Sequence, residues 1–443
     1  MGAGLARLLL SAVAQFSCDE RGASAMVVAI ALPGLIGFGA LGAETGLWYT
    51  IKLRNQSAAD AAAISAGYQV IAGKTSIIRD LTPAASEAAN QNGYTGATPA
   101  VIHPYSDGVV SNGVAVTLQQ TQGALLASLF LPGVTITSSA VAIIKLLDNP
   151  CILARGPGGT GVEVVSSSSL DAGNCSVAAN STSASAVDLQ DGTGSITAAT
   201  LVTRGEISFA GNPIDPAAPP SQFILNSRPM IGAPAIADPY ASALTHTFLT
   251  NGMPQTCAAG PPYPANSQIC GELPISVGAS VDLLPGTYWI TDGNLSLESN
   301  AVLKCSTCGS ANGVTIILTT TNTASGNVGN VNIASGAAVT LQAPNSGSFS
   351  GMLFIQDLAS AIGAGVTYTS GGSSLQGGPT MNLTGLLYFP GTSVQFQGNP
   401  SATCTVLIME RVVIKGNSNL TTSRCRRAGL TKLPGVRTVA LAE

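Results

Sequence analysis

From Gly22 to Ala43 the chain runs for 22 residues without one charged side chain. A helix of that length rises about 33 Å at ~1.5 Å per residue, enough to cross a ~30 Å hydrocarbon layer. Backbone polar groups in lipid must bond to one another, so a transmembrane helix is predicted over residues 22–43. Pro33 and several glycines lie within it, a kink that neighbouring helices tolerate. Trp48 and Tyr49 follow, at the depth where aromatic rings favour the membrane–water interface. Arg7 and Arg21 precede the run and Lys52 and Arg54 follow it, so flanking charge leaves orientation nearly balanced. Cysteine usage decides it: Cys18 lies before the run and all the others beyond it, which places the N-terminus inside and the bulk in an oxidising space. No small-x-small site closes the run as in a cleaved signal peptide. The approach Gln15-Phe16-Ser17 to Cys18 does not suit lipidation, and Val27 stands where prepilin cleavage after Gly22 would want Glu. No processing is expected there.

Beyond the span, Ala58, Ala59, Ala62, Ala63 and Ala66 around Asp60 form a small-residue stripe at helical spacing. Span and stripe are read as one long helix, with Ala58, Ala59, Ala62 and Ala66 as a close-packing surface for partner helices. A second helix is predicted from Pro83 to Asn92, with Thr82 as N-cap and Gly93 as stop. Strand-like runs follow at 113–118, 134–137 and 140–147, with a short apolar helix at 125–130 between the first two.

From Cys151 onward short β-rich runs alternate with Gly, Ser and Asn turns. Charged residues are only 9% of the chain, against ~25% in ordinary soluble domains, and Gly reaches 51 residues. Similar strands begin at Val314, Met352, Leu386 and Val406, and their spacing closes to about 20 residues, the size of one parallel β-helix coil. A second run follows each, at 339–341, 366–368, 394–396 and 412–414. The segment 212–264 is rich in Pro and Ala and reads as a crossing strap or linker. A parallel β-helix is the expected fold of this region, and a β-sandwich its rival.

Little points to catalysis. His103 and His246 lie far apart, beside prolines, and read as lone surface or loop histidines. Asp282, Asp292, Glu298, Asp357 and Glu410 are single carboxylates among apolar runs; stacking could bring Asp357 and Glu410 together, the one enzyme-like arrangement available. Cys305-Ser-Thr-Cys308 lies between strands in a Gly/Ser setting and reads as a turn disulfide. Neighbour pairing of the eight distal cysteines gives 151–175, 257–270, 305–308 and 404–425. The only dense basic cluster is Arg424, Arg426 and Arg427, read as a solvated tail, and net charge is -4, so nucleic acid is not an expected partner. No cofactor, metal site or catalytic residue is expected.

Arg21-Gly22-Ala23-Ser24-Ala25, the apolar run, Gly46 and the tract Asn55-Gln56-Ser57-Ala58-Ala59-Asp60-Ala61-Ala62-Ala63 resemble the N-terminal module of TadG-like pilus-assembly proteins. Glu44 stands where Asp is common in that pattern. Asp238-Pro239-Tyr240, Leu284-Pro285-Gly286-Thr287-Tyr288, Gly351-Met352-Leu353-Phe354-Ile355-Gln356-Asp357 and Gly385-Leu386-Leu387-Tyr388-Phe389-Pro390 are similar to the Gly-rich β region of extended members. The resemblance implies an inner-membrane protein with a periplasmic or extracellular body, working with minor pseudopilins and the Tad secretion platform in assembling adhesive Flp pili. It carries no catalytic residues.

The expected architecture is therefore α+β: a cytoplasmic N-terminus over 1–21, the span over 22–43, a pilin-like helix and small sheet over 44–150, a β-rich body over 151–425, and a tail over 426–443. A structural pilus-assembly role is expected. A β-helical adhesin or glycan-binding surface protein is the alternative, and a polysaccharide-active enzyme the third reading.

Overall fold

The computed structural model describes residues 20–107, 112–124, 128, 133–148, 150–309, 311–376, 381–398, 404–416, 418–422 and 436–442. They form two compact units, one of residues up to Lys145 with Thr438–Glu443, the other of Leu146–Arg437.

The first unit begins with a single helix, α1, of 52 residues from Glu20 to Ile71. It is long and apolar enough to span a membrane, and it continues through Pro33. Its large apolar side chains up to Leu41, including Ile30, Leu35 and Phe38, are exposed. Farther along, Ile51, Asn55, Ala58, Ala59, Ala62, Ala63 and Ala66 are buried. Their spacing of three and four residues marks one face of the helix.

That face packs within the chain. Its alanines share a core with Leu81, Ala85 and Ala89 and with the strand residues Val114, Val116, Leu118, Ala140 and Ala142. The stripe of Ala58, Ala59, Ala62 and Ala66 is therefore an internal contact and not the partner surface expected from sequence. Small side chains let α1 lie close to both neighbours, and each is already fully enclosed.

The second helix, α2 (Thr82–Gln91), is continuous with a π-helical turn at Ile77–Leu81. Thr82 is thus inside helical structure, and the capping side chain is that of Ser76, which accepts from the Arg79 N–H. Gly93, at φ 78, follows the helix end as expected.

Three antiparallel strands follow: β1 (Ala100–Tyr105), β2 (Gly113–Gly123) and β3 (Gly133–Asp148). The runs expected separately at 134–137 and 140–147 form one strand, β3. The helix expected at 125–130 lies outside the described residues, apart from Ser128. The last strand of this sheet, Val436–Leu441, comes from the far end of the chain and pairs with β3. Part of the expected tail is thus structural. A Cβ on Gly67 of α1 would come within 2.7 Å of Val439, so the glycine makes room for that strand.

The second unit is built almost wholly of parallel pairings. One ladder joins Ser267–Cys270, Gly286–Thr291, Val314–Thr319, Met352–Gln356, the middle of Met381–Gln397, the start of Cys404–Lys415, Pro150–Ala154, Ser176–Ala179 and Leu201–Thr203. A second joins Leu273–Ile275, Leu295–Leu297, Val331–Ile333, Ser373–Leu375, the later parts of the same two long strands, Val162–Val164, Val187–Leu189 and Ile207–Phe209. A third carries Ser280–Asp282, Val302–Lys304, Ala338–Gln342 and Met381–Thr384. Asn419–Thr421, Ser169–Asp171, Ser195–Ala198 and Phe223–Leu225 form a further parallel ladder. A β-sandwich of antiparallel sheets is not what these pairings describe.

Equivalent positions on successive rungs stack. Tyr288, Ile316, Phe354, Leu387, Leu407, Ile152, Val177 and Leu201 occupy one register of the first ladder. All belong to the main buried core of this unit. Where rungs turn a corner the backbones close up: a Cβ on Gly329 would lie 1.7 Å from the Gly293 carbonyl oxygen, and one on Gly293 would lie 2.1 Å from Gly271. The sequence repeat is corrected in one respect. Residues 339–341 belong to the third ladder, and Thr367–Tyr368 pairs only with Asn327–Val328. The second-ladder partners on those rungs are Val331–Ile333 and Ser373–Leu375.

Ala62 is fully enclosed in the first unit, so Ala62→Leu should overpack it by about 1–3 kcal/mol. Hydrogen exchange should show faster opening of α2 and β2, with amides of residues 286–319 unchanged.

Candidate functional site

The first ladder has an outward register as well as an inward one. Trp289, Ile317, Ile355, Tyr388, Ile408, Leu153, Ala178 and Val202 stand side by side along it. Such a row would be a large apolar patch if left in water. It is buried, because the Pro-rich segment lies over it and contributes Ala233, Ile236, Tyr240, Leu244 and Leu249 to a second core.

The strap travels the ladder in one direction. Met230 bridges to Val202 at one end of the stack. The Asn180 amide then clasps Ile236, accepting its N–H at 2.8 Å and donating to its carbonyl at 2.9 Å. Asp238 comes next and receives the Arg155 guanidinium at 3.0 Å and the Tyr388 hydroxyl at 2.9 Å. Its other carboxylate oxygen accepts from the Tyr240 N–H. Further along, His246 Nδ1 lies 2.7 Å from Asp357. The Trp289 indole donates to the Leu249 carbonyl at 2.7 Å. Cys257 bridges to Gln268 at the opposite end, where the Cys257–Cys270 disulfide fastens the strap.

The clasps take up two of the polar residues singled out from sequence, His246 and Asp357. His246 is not a lone loop histidine: it sits on a short helix, His246–Leu249, and pairs with a carboxylate that is wholly buried. The same Asp357 oxygen accepts from the Thr319 hydroxyl at 2.8 Å, while the other oxygen has no hydrogen-bond partner among the described residues. His103, on the edge strand β1, faces the Gly113 carbonyl at 3.1 Å. Asp357 and Glu410 each lie near enough to Tyr368 for their charges to raise its phenol, with Arg155 opposing them. Burial is the largest cause and, with these charges, pushes Tyr368 up to about 12. Tyr388 is raised as well, by burial first and then by the adjacent Asp238 charge. Asp357, locked by His246 and Thr319, serves there as a strap anchor.

The remaining carboxylates cap loops. Asp282 accepts from the Ser306 N–H and lies 3.8 Å from Lys304. Asp292 accepts from Thr320 and the Asn327 N–H, and Glu298 from the Val277 N–H. Among the described residues no three His, Cys, Asp or Glu side chains gather as a metal site. Cys305–Cys308 is a closed disulfide, and Cys151–Cys175 ties two neighbouring rungs. These are three of the four neighbour pairs read from spacing; the fourth, 404–425, lies outside the described residues at Cys425. The basic cluster at 424–427 lies outside them too. Sequence reasoning misses Arg155, Asp238 and Tyr388 as a set, because their positions in the chain give no hint that strap and rungs meet. The Asp238-Pro239-Tyr240 tract is the available signal.

No family model, curated protein or solved structure matches the chain.

Asp238→Ala should leave the buried Tyr388 hydroxyl without its acceptor and Arg155 with the Pro390 carbonyl alone, costing about 1–3 kcal/mol in denaturant unfolding of the second unit. The raised phenols give a pH dependence with a definite sign. The folded state holds protons that the unfolded state releases from ~10 upward, so stability falls as pH rises above that value. For Tyr368 the loss should be complete just beyond about 12. Alkaline unfolding of Tyr368→Phe followed by circular dichroism should show a smaller slope than wild type.

Proposed function

We propose that this chain is a membrane-anchored structural component of a Tad-type pilus assembly system. In this reading α1 crosses the inner membrane with the N-terminus inside, and the body lies on the periplasmic side. The observation that carries it is the division of α1: one uninterrupted helix, apolar and exposed in its first part, enclosed by its own sheet and α2 in its second. A helix that leaves lipid and becomes the spine of a small antiparallel sheet is also the outline of pilins, an analogy of architecture. It agrees with the TadG-like resemblance of residues 21–63.

The ladders of the second unit are read as the three faces of one parallel β-helix. At ~4.8 Å per rung, the nine strands of the first ladder would extend about 38 Å. A body of this kind, with its disulfides, suits a stiff projecting element in an oxidising compartment. Minor pseudopilins and the secretion platform are the proposed partners. Because the alanine stripe is used internally, partner helices would meet α1 in the membrane. There Gly34, Gly37, Gly39 and Gly42 leave open space, with nothing within 4 Å of where a Cβ would stand.

A second reading, a glycan- or surface-binding protein, is favoured by one observation. Ser296, Asn332, Ser374 and Gln395 stand in one register on the second ladder, a row of neutral hydrogen-bonding groups.

Deleting the gene from its native host should abolish surface pili, and the full chain should restore them; normal piliation without it would overturn the proposal. The intact protein should stay with membranes after carbonate washing, and Cys151, Cys175, Cys257 and Cys270 should resist alkylation until reduced. A cytosolic protein with free thiols at these positions would be incompatible with this assignment.

A further inference from the structure

A groove of about 290 Å³ opens in the second unit, near the point where the strap reaches the end of the first ladder. Four chain segments converge on it, one of them contributing only Gly313. Asn251 comes from the strap just after the short helix 246–249, and Thr287 and Trp289 from the strand Gly286–Thr291. Ser346, Ser348 and Phe349 come from the loop between Ala338–Gln342 and Met352–Gln356. None of the residues lining it is charged, and three are glycines that leave backbone within reach.

The chemistry of the lining is selective. The side chains of Asn251, Thr287, Ser346 and Ser348 make no hydrogen bond among the described residues. An amide and three hydroxyls together offer both donors and acceptors. Beside them lies aromatic carbon: Phe349 is half-buried and packs edge-to-face on Phe248 at 5.6 Å. The Trp289 indole N–H is committed to Leu249, so this side chain presents carbon to the groove and not a donor. An anion would find no cationic side chain in the lining and a cation no carboxylate. Asn251, Ser346 and Ser348 are exposed and Thr287 half-buried, and a purely apolar ligand would cost about 1–3 kcal/mol for each of these groups that it covered. A neutral polyhydroxyl ring with an apolar face satisfies both kinds of surface. The volume lies just below the ~300–1,000 Å³ range of ligand sites, which suits one ring of a chain that continues out of the groove.

We propose that this groove binds a neutral sugar unit of an extracellular or cell-wall glycan. The test uses the full chain in lipid nanodiscs, because maltoside detergents carry sugar headgroups of their own. Glucose, galactose, mannose, N-acetylglucosamine and their β-linked disaccharides are titrated and followed by saturation-transfer NMR, with glucuronate as the acidic control. At least one neutral sugar should give saturable binding, and glucuronate should bind about tenfold more weakly or worse. Asn251→Ala, and separately the pair Ser346→Ala and Ser348→Ala, should each weaken binding about fivefold without moving the thermal unfolding of the second unit. The inference is overturned if no sugar of the panel saturates, if glucuronate binds as tightly as the neutral sugars, or if both variants bind like wild type. Membrane retention and piliation are separate readouts, so failure here is distinguishable from failure of the assembly role.

Discussion

Parallel backbone pairing between Leu407–Met409 and Ile152–Ala154 is the contact on which the second unit depends. It joins the last rungs made by the chain to the first. Because of it, spatial order and chain order differ: the stack starts at its middle, grows to one end through Leu201–Thr203, and resumes at the opposite end with Ser267–Cys270. The chain must therefore travel back along the stack, and the Pro-rich strap is that return. Its route over the outward apolar register follows, since a ladder flanked by Trp289, Ile317, Tyr388 and Ile408 has to be covered by something. The junction is reinforced where Arg411 meets Glu163 and where Ser418 N–H bonds to Ser168.

The polar clasps make the strap's position specific. Apolar contact alone would let a segment rich in Ala and Pro slide along a uniform row of side chains. Asn180, Arg155, Asp357 and Trp289 stand at four different rungs, and each takes one partner from the strap. A shift of one rung would leave the buried Asp238 carboxylate without the Arg155 guanidinium and the Tyr388 hydroxyl, which costs more than the pair contributes when made. Burying a charge in this unit thus selects a register more than it adds stability.

Much of this is legible in the sequence, and the limits have physical causes. The uninterrupted helix is visible because an uncharged run long enough to cross a membrane leads into an alanine stripe at helical spacing. The strands from Val314 to Ile414 are visible because neighbouring rungs there are also neighbours in sequence. The strand β1 is hidden by Pro104, which suits an edge position and breaks the usual pattern. The closing strand Val436–Leu441 reads as a tail, because its pairing with β3 spans almost the whole second unit in sequence. The alanine stripe does announce a packing surface, but small side chains at helical spacing do not say whether the neighbour is another chain or the same one. His246 and Asp357 are 111 residues apart, and nothing short of the permuted rung order brings them together.

A stack that begins at its middle has a consequence for how such a protein can vary. Pro150–Ala154 and Cys404–Lys415, the segments nearest in sequence to the first unit, occupy adjacent interior rungs, while the rungs at the two ends of the first ladder are Leu201–Thr203 and Ser267–Cys270. Rungs can be duplicated or lost at either extremity, with the strap lengthened or shortened to match, without disturbing the interior pair through which the chain enters and leaves this unit.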